Sequence, residues 1–219
     1  MPNFGLPSFR IVLWDADGTL YDSPKVSIQK HREVAQQLVL RVPTEEDLRA
    51  AWHGTWKNIT HEIWGNDAKR FRKAYMEVYP TLTYPRYEGL AEAVLSLHHQ
   101  GIVQAVLTNR DAESCARRMS QAGIPLFAFS AIDGIEDRTF HKPDPRAFDR
   151  LWSGIAGDGE RPEDAVYVGD TISDWEAARQ FGCHFIGVTT YVTSRAQFRA
   201  ARVHPEFILK HPKDILRFF

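Results

Sequence analysis

Apolar residues gather along this chain in short unbroken runs rather than in alternation with polar ones. Five runs read as buried strands, at residues 9–14, 102–108, 127–132, 165–169 and 184–188. Each is rich in β-branched or aromatic residues and bounded by turn chemistry. Continuous runs of this kind suit strands covered on both faces, as in a parallel sheet. Residues 207–209 form a sixth, weaker candidate. Between the runs the spacing turns helical. Leu90, Val94 and Leu97 recur at i, i+4 and i+7, and Asp111 is placed to cap a helix running to Ala122, which Gly123 stops. Pro143 stands at a first helical position ahead of Phe148, Leu151 and Trp152. Asp174 to Phe181 makes another helix, closed by Gly182. Strands that alternate with helices predict an α/β fold with a doubly wound, Rossmann-like parallel sheet.

One interval breaks this rhythm. Between residues 21 and 84 no run reads as a strand, and three apolar stripes have helical spacing. They are Ile28–Ala35–Leu38, Trp56–Ile59–Ile63 and Phe71–Tyr75–Val78, with Asp67 placed to cap the last. The expected organisation is an α/β core from residues 1–20 and 85–219, with an α-helical module, residues 21–84, inserted after the first strand. Aromatic residues at helical spacing read as the packing of that module.

Composition narrows the function classes. Lys and Arg number 27 against 28 Asp and Glu, for a formal net charge of −1 among 219 residues. This gives no reason to expect nucleic acid or a membrane surface as partner. No apolar stretch approaches the ~18 residues of a membrane span, and the first residues lack the basic-then-apolar pattern of a signal peptide. Cys115 and Cys183 are far apart and in no CxxC spacing. They read as free thiols of a reducing compartment, which predicts a cytoplasmic protein. No HExxH or Cys/His cluster points to zinc, and no Walker-type loop points to nucleotide hydrolysis by that route.

The informative polar residues follow the strand candidates. Asp15 and Asp17 come after the first, Thr108 and Asn109 after the second, and Asp170 with Asp174 after the run at 165–169. In open α/β sheets, ligands bind at this carboxyl edge. Lys142 precedes a proline, which biases its backbone toward extended geometry and offers a cation to the same crevice. Residues two apart on an extended chain point the same way, so Asp15 and Asp17 are expected to face one ligand. Two like charges about 4 Å apart cost about 4 kcal/mol at an effective dielectric near 20. A divalent cation removes that cost, and all-oxygen ligands favour Mg²⁺. A calcium loop is excluded, because positions 19 and 20 hold Thr and Leu where that loop needs Asp or Asn and then Gly. Taken singly, each of these motifs reads as a turn or a strand end; their joint order does not.

That order resembles the haloacid dehalogenase superfamily. Asp15-Ala16-Asp17-Gly18-Thr19-Leu20 is similar to its first motif and Thr108-Asn109 to its second. Lys142 in "HKPDP" is similar to its third, and "GDTISD", with Asp170 and Asp174, to its fourth. The helical insert is similar to the cap of the family's C1 branch. Trp14 stands where the family often has Phe, Ala16 where it often has Leu, and Glu88-Gly89 where it often has Pro-Gly. The resemblance implies a phosphatase of the phosphoglycolate phosphatase type that hydrolyses a small-molecule phosphate ester. It implies Asp15 as nucleophile, Asp17 as general acid and base, and Lys142 as the cation offsetting charge. Thr108, the Asn109 amide, Gly18 and Lys142 would receive the phosphoryl group. Mg²⁺ would be held by Asp15, the Asp17 carbonyl and Asp170, with Asp174 close behind. Family relatives that cleave carbon–halogen bonds lack an aspartate at the position of Asp17, because halide departs without a proton. Within the insert, His53, Gly54 and Lys57 are candidate substrate contacts. A phosphosugar mutase, and a non-catalytic regulatory protein on the same scaffold, remain alternatives; oligomeric state is left open.

Overall fold

The computed structural model describes residues 9–51, 56–135 and 139–219. Two compact units divide the chain. One comprises Pro85–Phe219 with the described residues up to Asp22, and the other is Ser23–Tyr84.

The first unit is built on six parallel strands: β1 (Ile11–Trp14), β2 (Val103–Leu107), β3 (Ala131–Asp133), β4 (Ala165–Gly169), β5 (His184–Val188) and β6 (Ile208–Leu209). Their order across the sheet is β3-β2-β1-β4-β5-β6. The chain therefore leaves β1 toward one edge, returns, and continues toward the other. The reversal falls between β1 and β4, where such sheets open a crevice at their carboxyl ends. Trp14 pairs in register with Val106 on one side and Val168 on the other. The residues that follow these three strands consequently emerge side by side.

Both faces of the sheet are covered, which explains the unbroken apolar runs. One face presents Ile11, Leu13, Leu107, Tyr167 and Phe185 to α7 (Asp149–Ile155), α8 (Ile172–Phe181) and α9 (Arg195–Ala200). The other face carries Val12, Trp14, Gln104 and Val106, all buried, and packs on α5 (Leu90–His99) and α6 (Ala112–Gln121). Trp14 donates its indole N–H to Gln104 Oε1 at 3.2 Å, and Gln104 Nε2 donates to the Val94 carbonyl at 2.9 Å. A tryptophan buried here needs that acceptor. The wider ring is thus matched by a glutamine on the adjacent strand.

Local signals set most boundaries. Asp111 caps α6 through a bond from the Ser114 amide at 2.8 Å. Gly182 closes α8 at φ +96°, a conformation that favours glycine. Three expectations are corrected. The apolar run at 127–132 contributes only its end to β3, because Leu126–Ala128 forms a 3₁₀ turn that leaves Phe127 72% exposed. Pro143 does not open a helix; its bond to Lys142 is cis. The helical start lies at Pro145, behind Asp144, whose side chain accepts from the Arg146 amide at 2.9 Å. Asp67 precedes α4 but makes no capping bond with its side chain.

The second unit consists of α1 (Ser23–Gln37), α2 (Glu45–Ala51), α3 (Trp56–Trp64) and α4 (Ala68–Val78). Its interior is aromatic: Trp64 stacks on Phe71 at 3.7 Å between ring centres, and the His31 ring lies 4.4 Å from Tyr75. Ile28, Val34, Ala35, Leu48, Ile59 and Ile63 fill the remainder. Among the described residues, no helix is long and apolar enough to cross a membrane.

His31 is buried in this packing, with its ring hydrogen bonds fixing one tautomer. Nδ1 lies 2.6 Å from the Ser27 carbonyl, which only accepts, so Nδ1 carries the proton. Nε2 is then the acceptor for the Trp56 indole N–H at 3.4 Å. Burial pushes the His31 pKa down to about 4, partly opposed by the Ser27 bond. The unfolded chain takes up this proton near pH 6.5, the folded chain only near pH 4. The stability that neutral His31 contributes is therefore complete above pH 6.5 and lost as pH falls toward 4. The loss should reach roughly 3 kcal/mol at 1.36 kcal/mol per pKa unit. Denaturant unfolding at pH 7 and pH 4 checks this: His31→Phe should flatten the difference, and an equal acid loss in that variant would refute it.

Candidate active site

The carboxyl ends of β1 and β4 place Asp15 and Asp170 next to each other, and the first turn of α8 adds Asp174. One carboxylate oxygen from each of the three lies within 4.8 Å of the others, and all three residues are buried. The arrangement follows from local sequence. The Asp15 amide donates to the Val168 carbonyl at 2.8 Å, which continues the β1–β4 ladder one residue past the strand. Thr171 caps α8, its Oγ1 accepting from the Asp174 amide at 3.1 Å. In return Asp174 Oδ2 accepts from the Thr171 amide at 3.0 Å and from its hydroxyl at 2.6 Å. This reciprocal cap turns the other oxygen, Oδ1, toward Lys142.

Lys142 organises the cluster. Its ammonium has three donors, and three acceptors meet them at 2.6 Å each: Asp15 Oδ1, Asp174 Oδ1 and Tyr167 Oη. Tyr167 Oη passes its own proton to the Leu107 carbonyl at 2.9 Å. The backbone of Lys142 is held as firmly. Asn109 Nδ2 donates to the Lys142 carbonyl at 3.0 Å, and Asn109 Oδ1 accepts from the Lys142 amide at 3.1 Å. The Asn109 carboxamide thus positions Lys142 through its oxygen and one of its two N–H groups.

The electrostatics are unbalanced. Burial drives the Asp15 carboxyl up, Lys142 opposes the rise, and Asp174 and Asp17 add to it, for a net shift to about 7. Burial also opposes charge on Lys142, but the two carboxylates outweigh it and raise its pKa above the ordinary lysine value. Asp170 is driven well above the usual carboxylate range by burial and by the charges of Asp15 and Asp174. Both oxygens of Asp170 are buried and have no hydrogen-bond partner among the described residues. If all three carboxylates ionise, one ammonium leaves an excess of two negative charges. At 4.8 Å and an effective dielectric near 20, each carboxylate pair costs about 3 kcal/mol. A hard divalent cation fits this donor set, because it removes the excess and supplies the partner Asp170 lacks.

Gly18 completes the pocket. It adopts φ +81°, and a Cβ there would come within 2.2 Å of Asp170 Oδ2. Its carbonyl accepts from the Thr190 hydroxyl at 2.5 Å. Thr108 is buried at the end of β2, its amide donating to the Asp133 carbonyl at 3.0 Å and its hydroxyl accepting from the Arg110 amide at 3.1 Å. Asp17 departs from expectation. β1 ends at Trp14, and residues 16–21 turn, with the Leu20 amide bonded to the Ala16 carbonyl at 2.9 Å. Asp17 therefore takes a different partner from Asp15, a two-pronged ion pair with Arg110 at 2.7 Å. Lys57 is exposed on α3; His53 and Gly54 lie outside the described residues.

Sequence reasoning passed over two residues. Tyr167 lies inside an apolar strand and reads as core. Arg110 follows Thr108-Asn109 and reads as loop. The only available signal was parity for Tyr167: it shares a sheet face with Leu13, which packs toward the helices that carry Asp174.

This architecture has relatives. The family model for haloacid dehalogenase-like hydrolase matches residues 12–188. The chain belongs to that family of hydrolases. It is similar to phosphoglycolate phosphatase of Aquifex aeolicus, 24% identical over 216 residues that cover 95% of each chain. It is also similar to pyrophosphatase PpaX of Halalkalibacterium halodurans, 24% identical over 209 residues and 94% of each. The crystal structure of a predicted phosphoglycolate phosphatase from Haemophilus somnus shares the fold with a TM-score of 0.82 at 23% identity, over 97% of this chain and 99% of that one.

Tyr167→Phe deletes one acceptor of a buried ammonium and strips the Leu107 carbonyl of its donor. The expected cost is about 1–3 kcal/mol, read by urea unfolding. A loss below about 0.5 kcal/mol, the range of changes far from any buried network, would show that the tyrosine is not needed to hold Lys142.

Proposed function

We propose that this protein is a Mg²⁺-dependent phosphatase that hydrolyses a small-molecule phosphomonoester through an aspartyl-phosphate. The observation that supports it most is the buried Asp15–Asp170–Asp174 cluster around Lys142, in which Asp170 has no donor among the described residues. The names of the relatives, a phosphoglycolate phosphatase and a pyrophosphatase, agree with phosphoryl hydrolysis.

In this reading Asp15 is the nucleophile. Lys142 fixes one of its oxygens at 2.6 Å, which orients the carboxylate for in-line attack on phosphorus. Attack forms the Asp15–phosphate bond as the ester bond breaks, and the leaving oxygen takes a proton from Asp17. Water then attacks phosphorus, giving its proton back to Asp17 and releasing Asp15. Lys142 compensates charge on the phosphoryl oxygens. Thr108 contributes its hydroxyl, and the absence of a side chain at Gly18 lets the phosphoryl group approach the main chain. Asp15, the Asp17 carbonyl and Asp170 would hold Mg²⁺. Both oxygens of Asp174 already accept protein hydrogen bonds, which supports a role in positioning Lys142 behind the metal ligands. Bound Mg²⁺ supplies charge neutralisation and an anchor for the phosphoryl group. The cap role of the helical unit, with His53, Gly54 and Lys57 as specificity residues, belongs to the same reading and rests on the family resemblance.

Asp15→Asn should abolish phosphate release from p-nitrophenyl phosphate in Mg²⁺ while the circular dichroism spectrum stays native. Normal turnover by that variant would sink the mechanism. Asp170→Asn should raise the Mg²⁺ concentration that gives half of the cation's thermal-shift stabilisation by about tenfold or more. An unchanged Mg²⁺ midpoint would remove Asp170 from the metal site. Release of free phosphate from a hexose phosphate, with no isomerised phosphosugar, separates hydrolase from mutase.

A further inference from the structure

Arg110 has no part in the chemistry above, yet it grips one of the reacting residues. Its Nε donates to Asp17 Oδ2 and its Nη2 to Asp17 Oδ1, both at 2.7 Å. The two side chains keep 18% and 21% of their exposure, whereas Lys142, Asp15 and Asp174 keep between 2% and 8%. The pair therefore stands on the solvent side of the buried cluster. Its origin is fixed, since the Arg110 amide donates to the hydroxyl of Thr108 at 3.1 Å.

We propose that Arg110 is the receptor for a second anionic group on the substrate, a carboxylate or a further phosphoryl group on the leaving side of the ester. In the free protein the Asp17 carboxylate occupies that receptor. The inference rests on the phosphatase reading and narrows its substrate class. A guanidinium presents two parallel N–H groups that match the oxygens of a carboxylate or phosphate. Asp17 shows that the Arg110 fork is open to a two-oxygen anion in this geometry. Both oxygens of Asp17 accept from Arg110, so the carboxylate is engaged by the protein before it can serve an ester oxygen. A substrate anion that takes the fork replaces one charged pair by another and releases Asp17. A substrate with a neutral tail must break the pair and puts no anion in the place of Asp17. Asp17 and Asp15 are two residues apart, a span of at most about 7 Å along the chain. The second anion must therefore lie within a few bonds of phosphorus, which favours small substrates.

The test compares 2-phosphoglycolate with its carboxyl methyl ester, which keeps the phosphate and neutralises the tail. For the wild type in Mg²⁺, kcat/KM for the acid should exceed that for the ester by about tenfold or more, the usual worth of one charged hydrogen bond. In Arg110→Gln this ratio should fall close to one, mainly through KM for the acid. A residue that merely braces the loop would lower both substrates by the same factor, and that result overturns the proposal. So does a wild type that treats acid and ester alike. Should Arg110→Gln fail to fold by thermal melting, Arg110→Lys, which keeps the charge and loses the fork, carries the test. Its ratio should fall by about fivefold or more, and an unchanged ratio overturns the proposal. Wild type that releases phosphate from neither compound nor from p-nitrophenyl phosphate refutes the phosphatase reading itself. Turnover of p-nitrophenyl phosphate with no preference for the acid refutes the Arg110 assignment alone.

Discussion

A single ammonium, that of Lys142, holds the site together. It is buried, and each of its three protons meets an acceptor at 2.6 Å from a different part of the chain: Asp15 after β1, Tyr167 within β4 and Asp174 in α8. A buried cation with a full set of acceptors is stable; one with a missing acceptor carries the desolvation cost of a charge without its return. The three elements are thereby bound to one point. The reciprocal bonds between Asn109 and the Lys142 backbone tie β2 to the same point. Positions that lie far apart in sequence become a site with little freedom to relax.

Topology makes this convergence inexpensive in chain entropy. Because β1 lies between β2 and β4, the residues after these strands need no special loops to meet. The strands bring them together in register, and only Lys142 and Asp174 require dedicated local structure. For Asp174 that structure is the helix cap with Thr171. For Lys142 it is the turn that precedes Pro145, stabilised by Asn109. Inserting a helical unit between β1 and α5 does not disturb this scheme, since Asp22 and Pro85 are joined by a 2.8 Å main-chain bond that closes the core across the insertion.

How much of this was legible in the sequence differs by type of signal. β4 and β5 have the boundaries that their apolar runs imply, because both strands are covered on two faces. β3 is an edge strand, and there the same criterion overran: Phe127 is apolar yet exposed in a 3₁₀ turn, so hydrophobicity alone did not mark a strand. Asp15, Asp170 and Asp174 were readable as acidic residues at strand ends. Tyr167 was not, because a polar hydroxyl on an aromatic ring is invisible in a hydrophobic run until its partner is known. Nor was the task of Asn109, which depends on the backbone of a residue 33 positions away. Long-range main-chain contacts leave no local pattern.

The closeness of Asp15 and Asp17 in the sequence implies a repulsion that one metal ion would relieve. In the folded chain the turn after β1 separates their partners instead: Asp15 pairs with Lys142 and Asp17 with Arg110. Each of the two carboxylates that raised the question thus meets a protein cation, Asp15 sharing Lys142 with Asp174. The uncompensated charge lies elsewhere, on Asp170, buried beneath Gly18 with neither oxygen bonded among the described residues. A carboxylate already paired with lysine or arginine gives weak grounds for a cation, whereas a buried one with no donor would be neutral at physiological pH unless something of opposite charge met it. A divalent cation is therefore called for by Asp170, whose oxygens have no donor among the described residues, and not by the proximity of Asp15 to Asp17.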